Sequence, residues 1–292
     1  MPIDAARALA AEPRSATITW GHKDVQLYHL GLGAGANPDK PDPATDPDEL
    51  RYTLESRLHV LPSFATVAGG GMGAMGGLSA PGIDVDLAAV LHGGQSVEPH
   101  RPIPVAGTAT LTSKVAAIHD KGKAAVIVLR ADAADDDGPL WTSEAQLYVR
   151  GEGGFGGERG PSARSAEPDR PADRSVDRPV RGDQALLYRL SGDWNPLHAD
   201  PDFAKLAGFD RPILHGLCSY GMTLKAVVDT VLGGEVARVR ACRTRFAGVA
   251  YPGETLRIGM WEEPGRVLAR VTAVERDDAP VLADTVVEHA RT

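Results

Sequence analysis

The stretch SGDWNPLHADPDFAKLAGFDRPILHG, from Ser191 to Gly216, holds acids, an amide, two histidines and two Asx-Pro steps, and it closes on His-Gly. Core segments do not read this way, because buried Asp and His need partners and proline removes a backbone donor. Ordinary loops are polar, yet they seldom set an acid and an imidazole five residues apart around an Asn-Pro turn, as Asp193 and His198 are here. A carboxylate and an imidazole can share one water, one taking its proton and the other supplying a proton elsewhere. Pro196 stiffens the backbone between them, and the Asn195 amide can orient the water or the ring. Gly216 falls where an apolar helix begins. Leu217, Tyr220, Leu224, Val227, Val228 and Val231 recur at helical spacing until Gly233-Gly234. An N–H at a helix start has no intrahelical acceptor and sits at the positive end of the dipole, and glycine lets a carbonyl oxygen come close. Taken singly, Asp193 reads as a turn cap, Asn195-Pro196 as a helix start and Gly216 as a packing residue. Together they read as a site.

Outward from this stretch, the same order of blocks occurs twice. VQLYHLGLGAGANPD (Val25–Asp39) sits where ALLYRLSGDWNPLHA (Ala185–Ala199) sits later, and HVLPSFATVAG (His59–Gly69) answers PILHGLCSYGM (Pro212–Met222). HRPIPVAGTATL (His100–Leu111) answers FAGVAYPGETLRI (Phe246–Ile258), and the apolar strands AAVIVLR (Ala124–Arg130) and RVLARVTAV (Arg266–Val274) follow. The ordered blocks imply a tandem duplication. The tripeptide Leu-His-Gly also occurs twice, at Leu91–Gly93 and Leu214–Gly216, but at different places in the two frames, so the blocks outweigh it. Each half reads as a short helical or loop region, one long apolar helix and several strands. Turns such as Tyr251-Pro252-Gly253-Glu254 predict an antiparallel sheet around the helix, an α+β fold. Anchored on the tyrosines, Gly33 replaces Asp193 and Pro38 replaces His198, so the first half lacks the acid/base pair.

The chain's net charge of −8 disfavours a nucleic-acid partner, while an anionic small molecule would need only a local basic patch. Cys218 and Cys242 form neither a disulfide framework nor a metal-spaced pair, which points to a reduced, cytoplasmic compartment. No leader pattern opens the chain, no apolar run is long enough for a bilayer, and the closing EHART is not a peroxisomal tripeptide. Residues 151–182 are rich in Gly, Pro, Ser and alternating charge and read as a flexible linker, expected to be disordered. It divides residues 1–150 from residues 183–292. Gly71-Met72-Gly73-Ala74-Met75-Gly76 satisfies GxGxxG, but Pro81-Gly82 follow instead of a helix, so a loop is expected rather than a nucleotide site. His22, His100 and His119 lack ligand spacing, and no metal is expected. Arg238, Arg240, Arg243 and Arg245 read equally as a solvated strand face or as partners for CoA phosphates. Cys218 reads as a small core residue.

On these residues the chain resembles the (R)-specific enoyl-CoA hydratases, the hydratase 2 branch of the MaoC-like dehydratases. YRLSGDWNPLHADPDFAKLAGFDRPILHGLCSYG (Tyr188–Gly221) is similar to that family's signature, and DVQLYHLGLGAG, LPSFATVAG, VLHGGQ, RPIP, HDKGKA and GGFGGERG extend the likeness over nearly the whole chain. The resemblance implies a double hot-dog, two folds in which a helix is wrapped by an antiparallel sheet, with catalysis kept in the second. It implies that Asp193 and His198 are catalytic and that Gly216 supplies the oxyanion N–H. It places substrate contacts at His92, Gly93 and Lys121 in the first half and at Asn195 and Phe246 in the second. The implied reaction is reversible hydration of a trans-2-enoyl-CoA to the (3R)-3-hydroxyacyl-CoA, with no cofactor beyond the CoA of the substrate, in a homodimer without membrane or nucleic-acid partners. Dehydration of a hydroxyacyl group on CoA or acyl carrier protein would use the same residues. A non-catalytic acyl-thioester binder would need neither Asp193 nor His198.

Overall fold

The computed structural model describes residues 3–70, 78, 80–86, 89–161 and 167–291. In chain order these form α1 (Ala5–Leu9), β1 (Arg14–Trp20), α2 (His22–Gly31), α3 (Pro47–Thr53), β2 (Val90–Pro99), β3 (Gly107–Asp120), β4 (Ala124–Asp135) and β5 (Gly138–Arg150). The second half adds β6 (Arg174–Pro179), α4 (Gln184–Tyr188), α5 (Pro201–Leu206), α6 (Gly216–Thr230), β7 (Val239–Phe246), β8 (Thr255–Glu263), β9 (Arg266–Ala273) and β10 (Ala279–His289). The ten strands make one sheet in the order β1-β3-β4-β5-β2-β7-β10-β9-β8-β6. Read outward from the middle, β2-β5-β4-β3-β1 is the image of β7-β10-β9-β8-β6. The duplication inferred from the block order is therefore a duplication of topology, and the architecture is a double hot-dog.

The halves join where β2 and β7 pair antiparallel, from Gly94 opposite Arg245 to Val97 opposite Cys242. A Cβ at Gly94 would lie 3.0 Å from the Thr244 carbonyl oxygen, so glycine lets the two backbones close the seam. A second junction lies above it. The matching tyrosines of the two halves, Tyr28 and Tyr188, are both fully buried with ring centroids 5.9 Å apart. Gly31 brings α2 against the Tyr188 backbone.

α6 is the axle of the second half. Every residue from Cys218 to Val228 is buried, including Ser219, Thr223 and Lys225, because sheet wraps one side and the first half covers the rest. Its sequence periodicity suggested only one apolar face. Thr223 is accommodated by a helix-internal bond, its Oγ1 donating to the Ser219 carbonyl at 2.7 Å. Gly233 and Gly234, with φ of 66° and 81°, end the segment as expected.

Two expectations are corrected. The long helix expected in the first half is not found among the described residues. At the matching place stands a 3₁₀ turn, Pro62–Thr66, followed by Gly69 and Gly70 with φ of 77° and 97°, which no right-handed helix tolerates. The GxGxxG run, residues 71–76, lies outside the described residues. The predicted disordered linker, residues 151–182, contains an ordered strand. β6 is an edge strand that pairs with β8 through six residues, from Arg174 opposite Met260 to Pro179 opposite Thr255. Val176 packs on the core, while Asp177–Arg257 and Arg174–Glu262 pair across the strands. The glycine-rich start is ordered too. The Asp120 carboxylate accepts from the amides of Gly122, Gly154 and Gly156 at 2.7–2.8 Å, and Lys121 Nζ donates to the Pro161 carbonyl at 2.9 Å. Compositional bias concealed both, because strand pairing and one carboxylate meet backbone groups that a low apolar content cannot.

Candidate active site

The segment between β6 and α6 lies across the sheet and is shaped by its own polar residues. Gly192, at φ 120°, breaks the 3₁₀ turn Arg189–Ser191 with a conformation that an L side chain rarely adopts. Asp193 Oδ1 then accepts from the Asn195 amide at 3.2 Å, and Asn195 Oδ1 accepts from the Leu197 amide at 3.0 Å. Those two Asx turns and Pro196 fold residues 196–198 into a 3₁₀ turn that drives His198 inward while Trp194 and Asn195 remain exposed. The local capping roles and the site are one construction. The caps aim the histidine.

His198 Nδ1 donates to the Ile213 carbonyl at 2.9 Å, since a carbonyl can only accept, and its Nε2 is left with a lone pair. His215, the residue before α6, donates from Nε2 to the Asp193 backbone carbonyl at 3.2 Å. The two imidazoles stack with centroids 3.7 Å apart and planes at 27°. Burial holds both rings neutral. It lowers the His198 pKa, and it pushes His215 down to about 3, with the neighbouring His198 and Arg189 charges adding to the effect on His215.

Gly216 opens α6 directly after His215, and its N–H has no acceptor among the described residues. A Cβ there would meet the edge of the Phe246 ring at 2.9 Å, so a side chain would close the approach to that N–H. Phe246 in turn packs against His92, ring centroids 4.8 Å apart, and Nε2 of His92 is enclosed with no partner among the described residues. Desolvation pushes the His92 pKa down to about 4, even with the opposing field of Asp193.

Asp193, His198, Gly216, Phe246 and His92 are thus brought together across the β2–β7 seam, and Gly93 follows His92 on β2. Two further expected contacts are held by bonds of their own. Lys121 sits at the β3–β4 turn and is bonded to Pro161, and the Asn195 oxygen is spent on the turn cap. The four-arginine run lies on β7 and just before it. Arg243 pairs with Glu288 at 2.9 Å and Arg245 with Asp284 at 2.8 Å.

Sequence reasoning did not single out His215, although the repeated Leu-His-Gly was its signal. Both copies serve one site, the first through His92 and the second through His215-Gly216. Offset in the repeat frames made the coincidence look accidental.

Asp193, His198 and His215 each offer a ligand atom within 4.8 Å of the others. Two stacked imidazoles hold their in-plane lone pairs side by side, whereas a transition metal needs them to converge at about 2.0–2.1 Å. His198 Nδ1 and His215 Nε2 are moreover committed to carbonyls. The trio suits proton chemistry better than a metal.

The matching segment of the first half is built differently. Where Asp193 and His198 stand, it carries Gly33 and Pro38, and a buried ionic cluster fixes it. Glu49 accepts from the Gly35 amide at 2.8 Å, from Asn37 Nδ2 at 3.2 Å and from Lys225 Nζ at 2.8 Å. Lys225 also pairs with Asp229 at 2.8 Å. Residues 19–151 match the family described as MFE-2 hydratase 2 N-terminal domain, and residues 164–281 match the MaoC like domain. The chain belongs to the MaoC-like dehydratases, in their tandem hydratase 2 form. This hydratase 2 chain is 48% identical over 285 residues to enoyl-CoA hydratase ChsH3 of Mycobacterium tuberculosis, covering 97% of this chain and 98% of the relative. It is 40% identical to 3-hydroxyacyl-thioester dehydratase Y of the same organism, over 92% and 93% of the two chains. Among solved structures it resembles a MaoC-like dehydratase from Phytophthora capsici, with a TM-score of 0.87, 30% identity and coverage of 99% and 98%.

Proposed function

We propose that the protein hydrates trans-2-enoyl-CoA to (3R)-3-hydroxyacyl-CoA by syn addition of water, without a cofactor. The observation that carries this reading is the convergence of a neutral His198 lone pair, the Asp193 carboxylate and the acceptor-free Gly216 N–H. With the thioester oxygen at Gly216, His198 Nε2 takes a proton from water while the water oxygen bonds to C3. Electrons move through the C2–C3 double bond to the thioester oxygen, giving an enolate held by the Gly216 N–H. Asp193 accepts the water's other O–H and offsets the charge on the imidazolium. The imidazolium then returns its proton to C2 on the same face, and the enolate collapses to the thioester. Water has lost one proton and the substrate has gained both parts.

The reverse path uses the same groups, and the dehydratase name of the relative at 40% identity favours (3R)-hydroxyacyl-thioester dehydration as a second reading. His92, Gly93 and Lys121 are read as acyl-side contacts that do not take part in proton transfer. A homodimer is supported by the exposed apolar side chains of Leu186, Leu190 and Phe203 beside the site segment. A reducing, cytoplasmic setting is supported by two buried free thiols, Cys218 and Cys242, and no helix among the described residues is long and apolar enough to cross a membrane. The test is loss of the conjugated thioester absorbance with crotonyl-CoA and with a long enoyl-CoA, with EDTA present. Hydration unaffected by EDTA is expected, and failure on every enoyl-CoA would reject the reading.

A further inference from the structure

We infer that His215 is a positioning residue for this hydration, an imidazole that sets the ring plane of His198 and the backbone of Asp193 together. Two contacts carry the inference. The His215 ring lies against His198 at 3.7 Å between centroids, and its Nε2–H holds the Asp193 carbonyl at 3.2 Å. Among the hydrogen bonds and ring contacts of the described residues, no other side chain engages both members of the acid/base pair.

The remaining surroundings explain why the ring stays neutral. With Nε2–H committed, Nδ1 of His215 is a buried lone pair with no donor among the described residues. Protonating it would place a cation beside Arg189 of the preceding 3₁₀ turn and against His198, with Asp193 the acid that faces it. Tyr188 of α4 covers another side of the ring at 4.9 Å between centroids and carries no charge near neutral pH. A second charge is thus excluded from the stack when His198 takes up its proton, so the imidazolium of the reaction faces a neutral partner.

The molecule contains its own comparison. In the first half, Leu61-Pro62 stand where Leu214-His215 stand in the second. The half that lacks the acid and the imidazole at Gly33 and Pro38 therefore also lacks this ring.

The inference rests on the proposed reaction, so wild-type hydration of crotonyl-CoA is established first, and one measurement is independent of turnover. In protein labelled with ¹⁵N-histidine, His215 is expected to remain the neutral Nε2–H tautomer down to below pH 5. His215→Phe keeps a stacking ring but loses the donor, while His215→Gln keeps a donor but loses the ring. Each is expected to lower kcat roughly 10- to 100-fold, as misplacement of reacting groups does, with KM changed less than about threefold. A wild-type kcat in either folded variant would overturn the inference, as would a His215 that titrates near its ordinary pKa. If neither variant folds, His215→Asn, which keeps a donor and loses the ring, is measured for the same split between kcat and KM.

Discussion

Asp193→Asn and His198→Gln each remove one partner of the shared water, and each is expected to lower kcat by roughly 10²–10⁴-fold. Product binding should change far less, and the double variant should be little slower than either single one, because the two groups act as a unit. Near-normal turnover in either single variant would contradict the assignment. Gly216→Ala places a methyl 2.9 Å from the Phe246 ring, so kcat should fall in a protein that still folds, and Phe246→Leu should restore part of it. Steady-state kinetics on the pair checks this. At this scale the sequence made Asp193, His198 and Gly216 legible because their chemical types are improbable together. It did not reveal that His215 would stack on His198, because that contact depends on where the two side chains meet after folding.

Elements were legible where local pattern and tertiary context agree. α6 and the strands β4 and β9 follow from apolar periodicity, and the glycines that end α6 mark their own boundary. β6 was not legible, because a short edge strand in a charged, Pro-rich segment derives its order from β8 rather than from its own propensities. The helix not found among the described residues of the first half shows the converse, since Gly69 and Gly70 take a backbone there that the matching positions of α6 do not. Buried charge gives this scale its own prediction. Lys225 reaches from α6 to Glu49 on α3, which is 1% exposed, and Lys225→Met would strand that carboxylate. Destabilisation of about 3–5 kcal/mol is expected in urea unfolding. His92→Ala should instead raise KM and alter chain-length preference more than it lowers kcat on crotonyl-CoA. Abolition of crotonyl-CoA turnover by His92→Ala would put the chemistry on the wrong side of the seam.

Across the whole molecule, buried neutral histidines couple folding to pH. Burial pushes His29 and His215 down to about 3 and His92 to about 4, while the unfolded chain protonates them near 6.5. Between those values the unfolded state binds more protons, so stability is full above pH 6.5 and declines as pH falls towards 4. For the fully buried His29, whose Nε2 accepts from the Leu61 amide, the loss by pH 5 is about 2 kcal/mol. Urea midpoints followed from pH 7 to 4.5 should fall, and should fall less steeply in a folded His29→Gln variant; a flat profile would contradict the neutral core. The proposed mechanism also has a stereochemical consequence. On it, Asp193 and His198, from one short segment, lie on one side of the substrate plane while Gly216 holds the thioester oxygen, so water and proton arrive on the same face. Hydration of crotonyl-CoA in D₂O, with the product resolved by chiral analysis and NMR, tests this most directly. The predicted product is (3R)-3-hydroxybutyryl-CoA with deuterium at C2 on the face that received oxygen; the 3S product, or deuterium on the opposite face, would contradict it.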